Sequence, residues 1–367
     1  FFFGYCGARR PVGICALVNS AQDHEATDHQ NVLERKLQPA QSDLPTMTDI
    51  LVLTERRYEG DGSASDMPAE YVLNILNEDQ LVVDALRTHG LNASRVAWCN
   101  KDVDWQNTKA ALFRTTWDYF ERWDEFSPWL DWAASHTVLL NATNVVRWNM
   151  DKHYLRDLEM EGVRVVPTAY VPKGTSAPLV EVSAQHGWND VVIKPAISGA
   201  AMDTFRVILS GSVTVLSPEP PRGVDIDGLW QALTAKQDML VQPFLADVME
   251  SGELSLVWID GVVTHAVKKR AKAGDFRVQD DFGGTVERVD LHPGDTALAQ
   301  DIMTKCSNVC CKRGWDAPMY ARVDLMRSDE GVWMVSELEM VEPELWFRFC
   351  PEAADVLAQA MVRRLGG

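Results

Sequence analysis

The stretch VSELEMVEPEL, Val335 to Leu345, places four glutamates in a segment that otherwise reads as apolar strand. Glu337 and Glu339 are two residues apart, so on a strand they share a face. Like charges on one face repel, and burying unpaired carboxylates is expensive. Asp324 lies on YARVDL, the preceding strand of the same ribbon. Three carboxylates on one face form an all-oxygen site of the kind Mg²⁺ takes, completed by ligand phosphates and water, with Mn²⁺ as the alternative ion. The cation also removes the repulsion. Idle acids on a solvated ribbon are the competing explanation. The apolar flanks Met334, Val335, Leu338, Met340 and Val341 weigh against it, because they make the strand half buried.

Two further segments carry positive charge. Lys194 closes the strand-like VVIKP, and Ser198-Gly199-Ala200-Ala201 follows. A small-residue turn lets backbone N–H groups approach phosphate oxygens, and a lysine adds a point charge. The segment lacks the GxxxxGK[ST] pattern of a P-loop, and a surface lysine is the plainer alternative. Lys268, Lys269 and Arg270 follow THAV and lead into a Gly-bounded loop, Gly274 to Gly284. Such a loop suits a flap closing over an anion; a surface hairpin is the plainer alternative.

These residues need a scaffold. Ile50 to Thr54 reads as a buried parallel strand. Asn77 is placed to cap a helix through EDQLVVDALRTHG, closed by Gly90. Strand-like SRVAWC and ALFR, a helix from Asp124 to Ser135 and the strand TVLLN complete an alternating α/β unit with a parallel sheet. A helix fits Asp151 to Glu161, stopped by Gly162. Beyond it the texture turns to α+β. VVIKP, MDTFRVIL and MLVQPFL read as strands, and hairpins turn at Asp260-Gly261 and around Asp329 to Gly331. Helices fit Asp295 to Arg313 and Val356 to Leu365. The expected organisation is an extension over 1–46, an N-terminal α/β domain over 47–145, a central subdomain over 146–240 and a C-terminal one over 241–367.

The bulk properties narrow the partners. The chain has 367 residues, 46% hydrophobic and 24% charged, an ordinary globular composition long enough for more than one core. A net charge of −18 disfavours nucleic acid and acidic membranes, so any phosphate ligand needs a local cluster of cations. The 7 cysteines form no CxxC pair, which fits a reduced, cytoplasmic protein better than a disulfide framework or a zinc site. No apolar run approaches the roughly 20 residues of a membrane span. Residues 1–46 are polar and aperiodic after a faintly signal-like start; a disordered extension is the expectation, and Met47 opens the first clean strand. A homodimer is the default expectation for the assembly.

The segment from about Asn141 to Leu345 resembles the ATP-grasp superfamily, in particular the ATP-binding domain of the bacterial glutathione synthetase type. VVIKPAISGAAMDTFRV is similar to its lysine strand, small loop and following strand. HAVKKRAKAGDFRVQDDFGG is similar to its substrate-side arginines and loop, YARVDL to the RxD strand of D-alanine–D-alanine ligases, and ELEMVEP to the metal strand. Glu339 departs from the pattern, standing where an asparagine is usual, and the small loop has fewer glycines. The resemblance implies two subdomains clasping ATP. It implies that Lys152, Lys194 and the Ser198, Gly199, Ala200 loop meet the phosphates, that Gln242, Phe244 and Leu245 grip the adenine, and that Glu253 approaches the ribose. Asp324, Glu337 and Glu339 would hold Mg²⁺, and Arg270 and Arg322, with Lys268 beside them, would steady the transferring phosphoryl group.

The implied reaction is phosphoryl transfer from ATP to a carboxylate, then attack by a nucleophile, usually an amine. The substrate carboxylate should meet arginines. Arg114 ends a predicted strand of the first domain, where ligands of open α/β sheets gather, and Thr115, Thr116, Trp117 and Asp118 follow it. A helix start capped by Thr116 or Asp118 is the alternative for this segment. Arg277 is a second anion-binding candidate. RTTWDY, RWNMDKHYLRDL and GDFRVQDDFGGT also resemble ATP-grasp proteins related to the cyclo-ligase of cycloserine biosynthesis, which implies a small amino-acid-like substrate. A phosphotransferase that stops at a phosphorylated product, and a non-catalytic ATP-binding regulator, are the alternatives.

Overall fold

The computed structural model describes residues 48–211, 214–218, 224–272, 275–278 and 283–366, all within one compact unit, Leu44–Gly367. The extension over 1–46, Met47, Gly274 and part of the loop after it lie outside the described residues.

The first layer is a parallel sheet ordered β2-β1-β3-β4, built from β1 (Ile50–Thr54), β2 (Ala93–Ala97), β3 (Ala110–Thr115) and β4 (Val138–Leu140). Alternation sorts its side chains. Ile50, Val52, Ala110 and Leu112 face helix α1 (Ala69–Thr88) through Val82, Val83 and Leu86. Leu51, Leu53 and Phe113 face α2 (Trp123–Ala134) and an aromatic cluster with Trp98, Trp105 and Phe126. Helix α1 begins at Ala69, well before Asn77, so Asn77 is not its cap. The apolar stripe extends upstream through Val72 and Ile75, which pack with Tyr58, and that packing draws the earlier turns into the helix.

Next come α3 (Thr143–Met150), which is absent from the sequence expectations, and α4 (Tyr154–Met160), which corresponds to the helix expected over Asp151 to Glu161 but begins only after a break at Asp151 to His153. The break has a cause. Lys152 N–H donates to the Ala196 carbonyl at 2.9 Å, and His153 N–H donates to Asp151 Oδ1 at 3.0 Å, so the backbone at Lys152 bonds outward instead of along a helix.

The central layer is antiparallel, ordered β5-β9-β6-β7-β8, with β5 (Ala169–Val171), β6 (Asp190–Pro195), β7 (Phe205–Ile208), β8 (Thr214–Ser217) and β9 (Met239–Pro243). Helices α5 (Leu179–Ala184) and α6 (Ile226–Lys236) cover it with Leu179, Leu229, Trp230 and Leu233. After the single turn α7 (Val248–Ser251) comes a second antiparallel sheet, β12-β11-β10-β13-β14. Its strands are β10 (Glu253–Ile259), β11 (Val262–Arg270), β12 (Thr285–Val289), β13 (Tyr320–Arg327) and β14 (Trp333–Glu339). Helix α8 (Pro293–Lys312) covers one face, setting Ile302, Met303 and Cys306 against Leu254, Leu256, Val323 and Leu338. The other face is divided. At one end Val257, Ile259, Val267 and Tyr320 pack in one cluster with α9 (Glu352–Arg364), α1 and β1. At the other end the strands carry charge. Among the described residues no helix is long and apolar enough to cross a membrane.

His265 on β11 is buried, and its Nε2–H donates to the Leu345 carbonyl at 2.8 Å. Burial pushes its pKa from 6.5 down to about 4. Between those values the unfolded chain binds a proton that the native state refuses. This contribution is therefore complete above pH 6.5 and is lost as pH falls toward 4, up to about 3 kcal/mol. His265→Gln keeps a donor but cannot titrate, so its denaturation midpoint should fall less than wild type between pH 7 and pH 5. Equal losses would rule out His265 as the source.

Candidate active site

The charged end of the second antiparallel sheet is ordered by register. Arg322 pairs with Glu339 and Asp324 with Glu337 across β13 and β14. Ser255 lies opposite Asp324, and Glu253 lies opposite Lys269. Alternation therefore brings Glu253, Lys269, Arg322, Asp324, Glu337 and Glu339 onto one face, with α8 on the other. The edge strand β14 has backbone groups with no strand partner, and side chains from α3 and α4 satisfy them. Asn149 donates to the Leu338 carbonyl and accepts from Met340 N–H, both at 2.6 Å. Tyr154 Oη accepts from Leu338 N–H at 2.8 Å. These bonds fix the acidic strand against the turn that carries Lys152.

That turn places Lys152 Nζ 3.3 Å from Glu337 Oε1 and 2.6 Å from the Ser198 carbonyl. The lysine therefore joins the acidic strand to the loop after β6. In that loop Ala200, Ala201 and Asp203 have φ of 47°, 52° and 52°, a left-handed conformation that costs about 1–2 kcal/mol per non-glycine residue. Gly199 is needed for a different reason: a Cβ there would lie 2.4 Å from Phe120 Cε1. The loop is thus pressed onto the segment that follows β3. Gly199→Ala should weaken ATP affinity, and Phe120→Ala in the same chain should recover part of the loss; a double variant no better than the single would break the link.

Lys194, Glu253, Gln242, Phe244, Leu245, Arg322, Glu337 and Glu339 line one cavity of about 440 Å³, within the range of small-ligand sites. Gln242 donates to Thr168 at 2.9 Å. Phe244 lies 3.4 Å below the Arg206 guanidinium and meets Phe276 edge-on at 6.2 Å. Asp324 sits beneath the cavity floor, 1% exposed. Burial would raise its pKa, but Arg322 and Lys269 hold it down to about 2. Burial would likewise raise Glu337, and Lys152 and Lys194 reverse that. Burial, reinforced by Glu337 and Asp324, pushes Glu339 up to about 7 against the pull of Arg322. Glu337 and Glu339 touch the cavity's solvent, yet both stand in a recess where little water can screen them. Burial also lowers the Lys194 pKa, with Lys152 adding to it.

The chain is 30% identical over 292 residues to the cycloserine biosynthesis protein DcsG of Streptomyces lavendulae, a match covering 77% of this chain and 92% of that one. The chain belongs to the ATP-grasp family, in the branch of DcsG. It is an enzyme, an ATP-grasp ligase that forms carbon–nitrogen bonds. Residues 50–141 match the family described as D-cycloserine synthetase DcsG, N-terminal domain, and residues 223–341 the RimK-like ATP-grasp domain. The crystal structure of D-cycloserine synthetase DcsG superposes at TM-score 0.70 and 29% identity, covering 86% of this chain and 99% of that one. D-alanyl-alanine synthetase A from Vibrio cholerae shares the fold at TM-score 0.57 and 13% identity, covering 88% and 99%. PsnB, an ATP-grasp ligase solved with a phosphomimetic variant of its minimal precursor, Mg and ADP, shares it at 0.52 and 13%, covering 87% and 99%.

Several expected site residues of this ATP-grasp ligase lie elsewhere. Arg270 is exposed, bonded to Glu287 at 3.3 Å and to the Glu250 carbonyl at 2.9 Å, and Lys268 sits across from Leu254 on the α8 side of the sheet. The β11 cation in the site is Lys269, 2.7 Å from Glu253 and 3.2 Å from Asp324. Strand alternation would have found it: the three basic residues cannot share a face, and only the middle one faces Glu253. Arg114 does not reach the cavity; it is buried 3.6 Å from Asp79 and donates to the Pro343 carbonyl at 3.0 Å. Thr115 bonds to Thr54 at 2.6 Å, Thr116 is buried, and Asp118 takes the Trp98 indole N–H at 2.7 Å and pairs with Arg122. Of that segment Trp117 reaches the cavity, as do Tyr119 and Phe120 beyond it. Arg277 lines the cavity and pairs with Asp275 at 2.6 Å. Tyr119 and Glu342 were missed. Tyr119 and Glu342 line the same cavity, and burial, reinforced by Glu339, pushes Glu342 up to about 8.

Proposed function

We propose that this ligase uses ATP to phosphorylate the carboxylate of a small amino-acid-like substrate and joins the acyl phosphate to an amine, giving an amide or a ring-closed product with ADP and phosphate. The observation that carries this reading is the convergence of Lys152, Lys194, Lys269, Arg322, Glu337 and Glu339 on one cavity, with Asp324 completing a three-carboxylate cluster just beneath its floor. Phosphoryl transfer needs positioning and charge neutralisation and no side-chain nucleophile.

The residues fit a divalent cation. One oxygen each from Asp324, Glu337 and Glu339 lie within 4.8 Å of one another, an all-oxygen set suited to Mg²⁺, or to Mn²⁺ as the second choice. When bound, such an ion supplies positive charge at the nucleotide phosphates. Lys152 and Lys194 bind phosphate oxygens, and the strained turn over 199–203 presents backbone N–H groups to them. Gln242, Phe244 and Leu245 hold the adenine, and Glu253 the ribose. Arg322 stands where charge gathers as the γ-phosphoryl group leaves ADP for the carboxylate oxygen. The amine nitrogen then bonds to the acyl carbon as the carbon–oxygen bond to phosphate breaks. Loop residues Phe276 and Arg277 screen the cavity from water.

The test is ADP release by the full chain with Mg²⁺, ATP and amino acids, with mass spectrometry of the product. ATP-dependent release of phosphate together with an amide or cyclic product supports the reading; a stable phosphorylated product favours a phosphotransferase. The free thiols at Cys99, Cys306, Cys310, Cys311 and Cys350 and the need for ATP fit the cytoplasm. Glu339→Asn should keep turnover within about tenfold, the scale on which a modest change around a metal acts, because an asparagine oxygen still ligates. Loss of Mg²⁺ dependence or of turnover would show that the second charge at this position is required.

A further inference from the structure

The charges of the cavity wall can be matched one by one. Every other half-buried or buried glutamate of the wall, from Glu253 to Glu344, has a lysine or arginine within 3.3 Å. Glu342 has no ion pair among the described residues. Glu121 is at the exposed rim, where water serves it. On the cationic side Lys194 is in the same position as Glu342, lining the cavity with no ion pair among the described residues. A nucleotide phosphate answers Lys194. Glu342 needs a cation, and a carboxylate in such a recess without one is costly.

The neighbours of Glu342 define what that cation is. Its main-chain carbonyl accepts from Trp117 Nε1 at 3.0 Å, and Tyr119 lies in the same cavity wall. The backbone of Glu342 is therefore tied to the segment after β3. Trp117 meets Tyr58 edge-on, with ring centroids 6.0 Å apart, and Met67 and Tyr71 lie in the same wall. A carboxylate flanked by aromatic rings suits an ammonium group on a short carbon frame. Arg57 enters this wall too, but Glu55 takes it at 2.6 Å, so it offers little to a second acid group.

We propose that Glu342 receives the ammonium group of the acid that this enzyme activates, so that small carboxylic acids with a protonated amine are substrates and their N-acetylated or deaminated counterparts are not. This rests on the ligase reading above and names the substrate class of the same site.

The experiment measures ADP release by the full chain with Mg²⁺ and ATP. The probes are D- and L-alanine, serine, homoserine and 2,3-diaminopropionate, each beside its N-acetyl and deamino counterpart. One or more free amines should stimulate release, and the blocked acids should not. Glu342→Gln should raise the KM for the stimulating amine about 10- to 100-fold, the range of a hydrogen bond to a charged group. The KM for ATP should not move, which a merely structural role would not achieve, and Glu342→Asp should recover part of the loss. Stimulation by blocked acids equal to that by free amines, or an unchanged amine KM in Glu342→Gln, overturns the proposal and leaves the ligase reading standing. A wild type that releases no ADP with any acid removes both.

Discussion

Lys194→Ala should abolish ATP turnover, lowering kcat/KM by on the order of a thousandfold, while the chain remains folded. The two halves of this expectation have one cause. Lys194 lines the cavity without an ion pair among the described residues, and burial holds its pKa below the usual lysine value. An ammonium group in that state adds little to the stability of the nucleotide-free protein. On the proposed reading its partner arrives with the nucleotide, whose phosphate oxygens it would meet from β6 while Lys152 would meet them from the turn before α4. Lys194→Met, which keeps the stem and discards the charge, should match or exceed the wild-type melting temperature and be equally inactive. Glu337→Ala should lose turnover to the same extent, through the opposite charge. Normal ADP release in either the Lys194 or the Glu337 variant would place the chemistry elsewhere.

The second large effect is on stability. Arg322→Ala should destabilise the protein by about 3–5 kcal/mol, the penalty for leaving a buried charge without its partner. Arg322 forms a fork with Asp324, with Nε to Oδ1 at 3.0 Å and Nη2 to Oδ2 at 2.9 Å, and also meets Glu339. The Trp346 ring lies 5.1 Å from its guanidinium. Removing the arginine strands Asp324 in a site that water hardly reaches. Asp324→Asn in the same chain should restore much of the stability and none of the turnover, because it removes the stranded charge together with a carboxylate of the proposed cation site. Denaturant midpoints for both single variants and the double decide the matter. Additive losses would show that the pair is not coupled.

How far residue types alone predict such a site depends on what fixes each side chain. Asp324, Glu337 and Glu339 were readable because a hairpin's alternation puts them on one face, and the structure brings them together. Lys269 was passed over for its neighbours, although the same rule, applied across β10 and β11, separates it from Lys268 and Arg270. Arg114 shows the limit. A strand-end arginine in a parallel sheet looks like an anion site, yet Asp79, from a distant helix, claims it. Tyr119 and Glu342 enter one cavity wall from segments more than two hundred residues apart, and nothing local announces that they share it. The same holds for Asn149 and Tyr154 on the edge of β14: helix periodicity describes their backbone and says nothing of the strand they complete. The elements themselves followed hydrophobic period, and their ends failed where a tertiary bond intervened, as at Lys152.

Helix α9 has a consequence for biosynthesis. Ala353, Leu357 and Met361 share a core with Ile50, Val52 and Leu86, which lie far upstream in the sequence. During synthesis the opening sheet emerges with α1 to cover that face, but the core that the two share with α9 stays incomplete until Glu352–Arg364 follow. The N-terminal sheet therefore cannot complete this core before α9 is made. Stalled nascent chains ending before Glu352 should remain protease-sensitive in the N-terminal sheet, whereas release of the full chain should protect it.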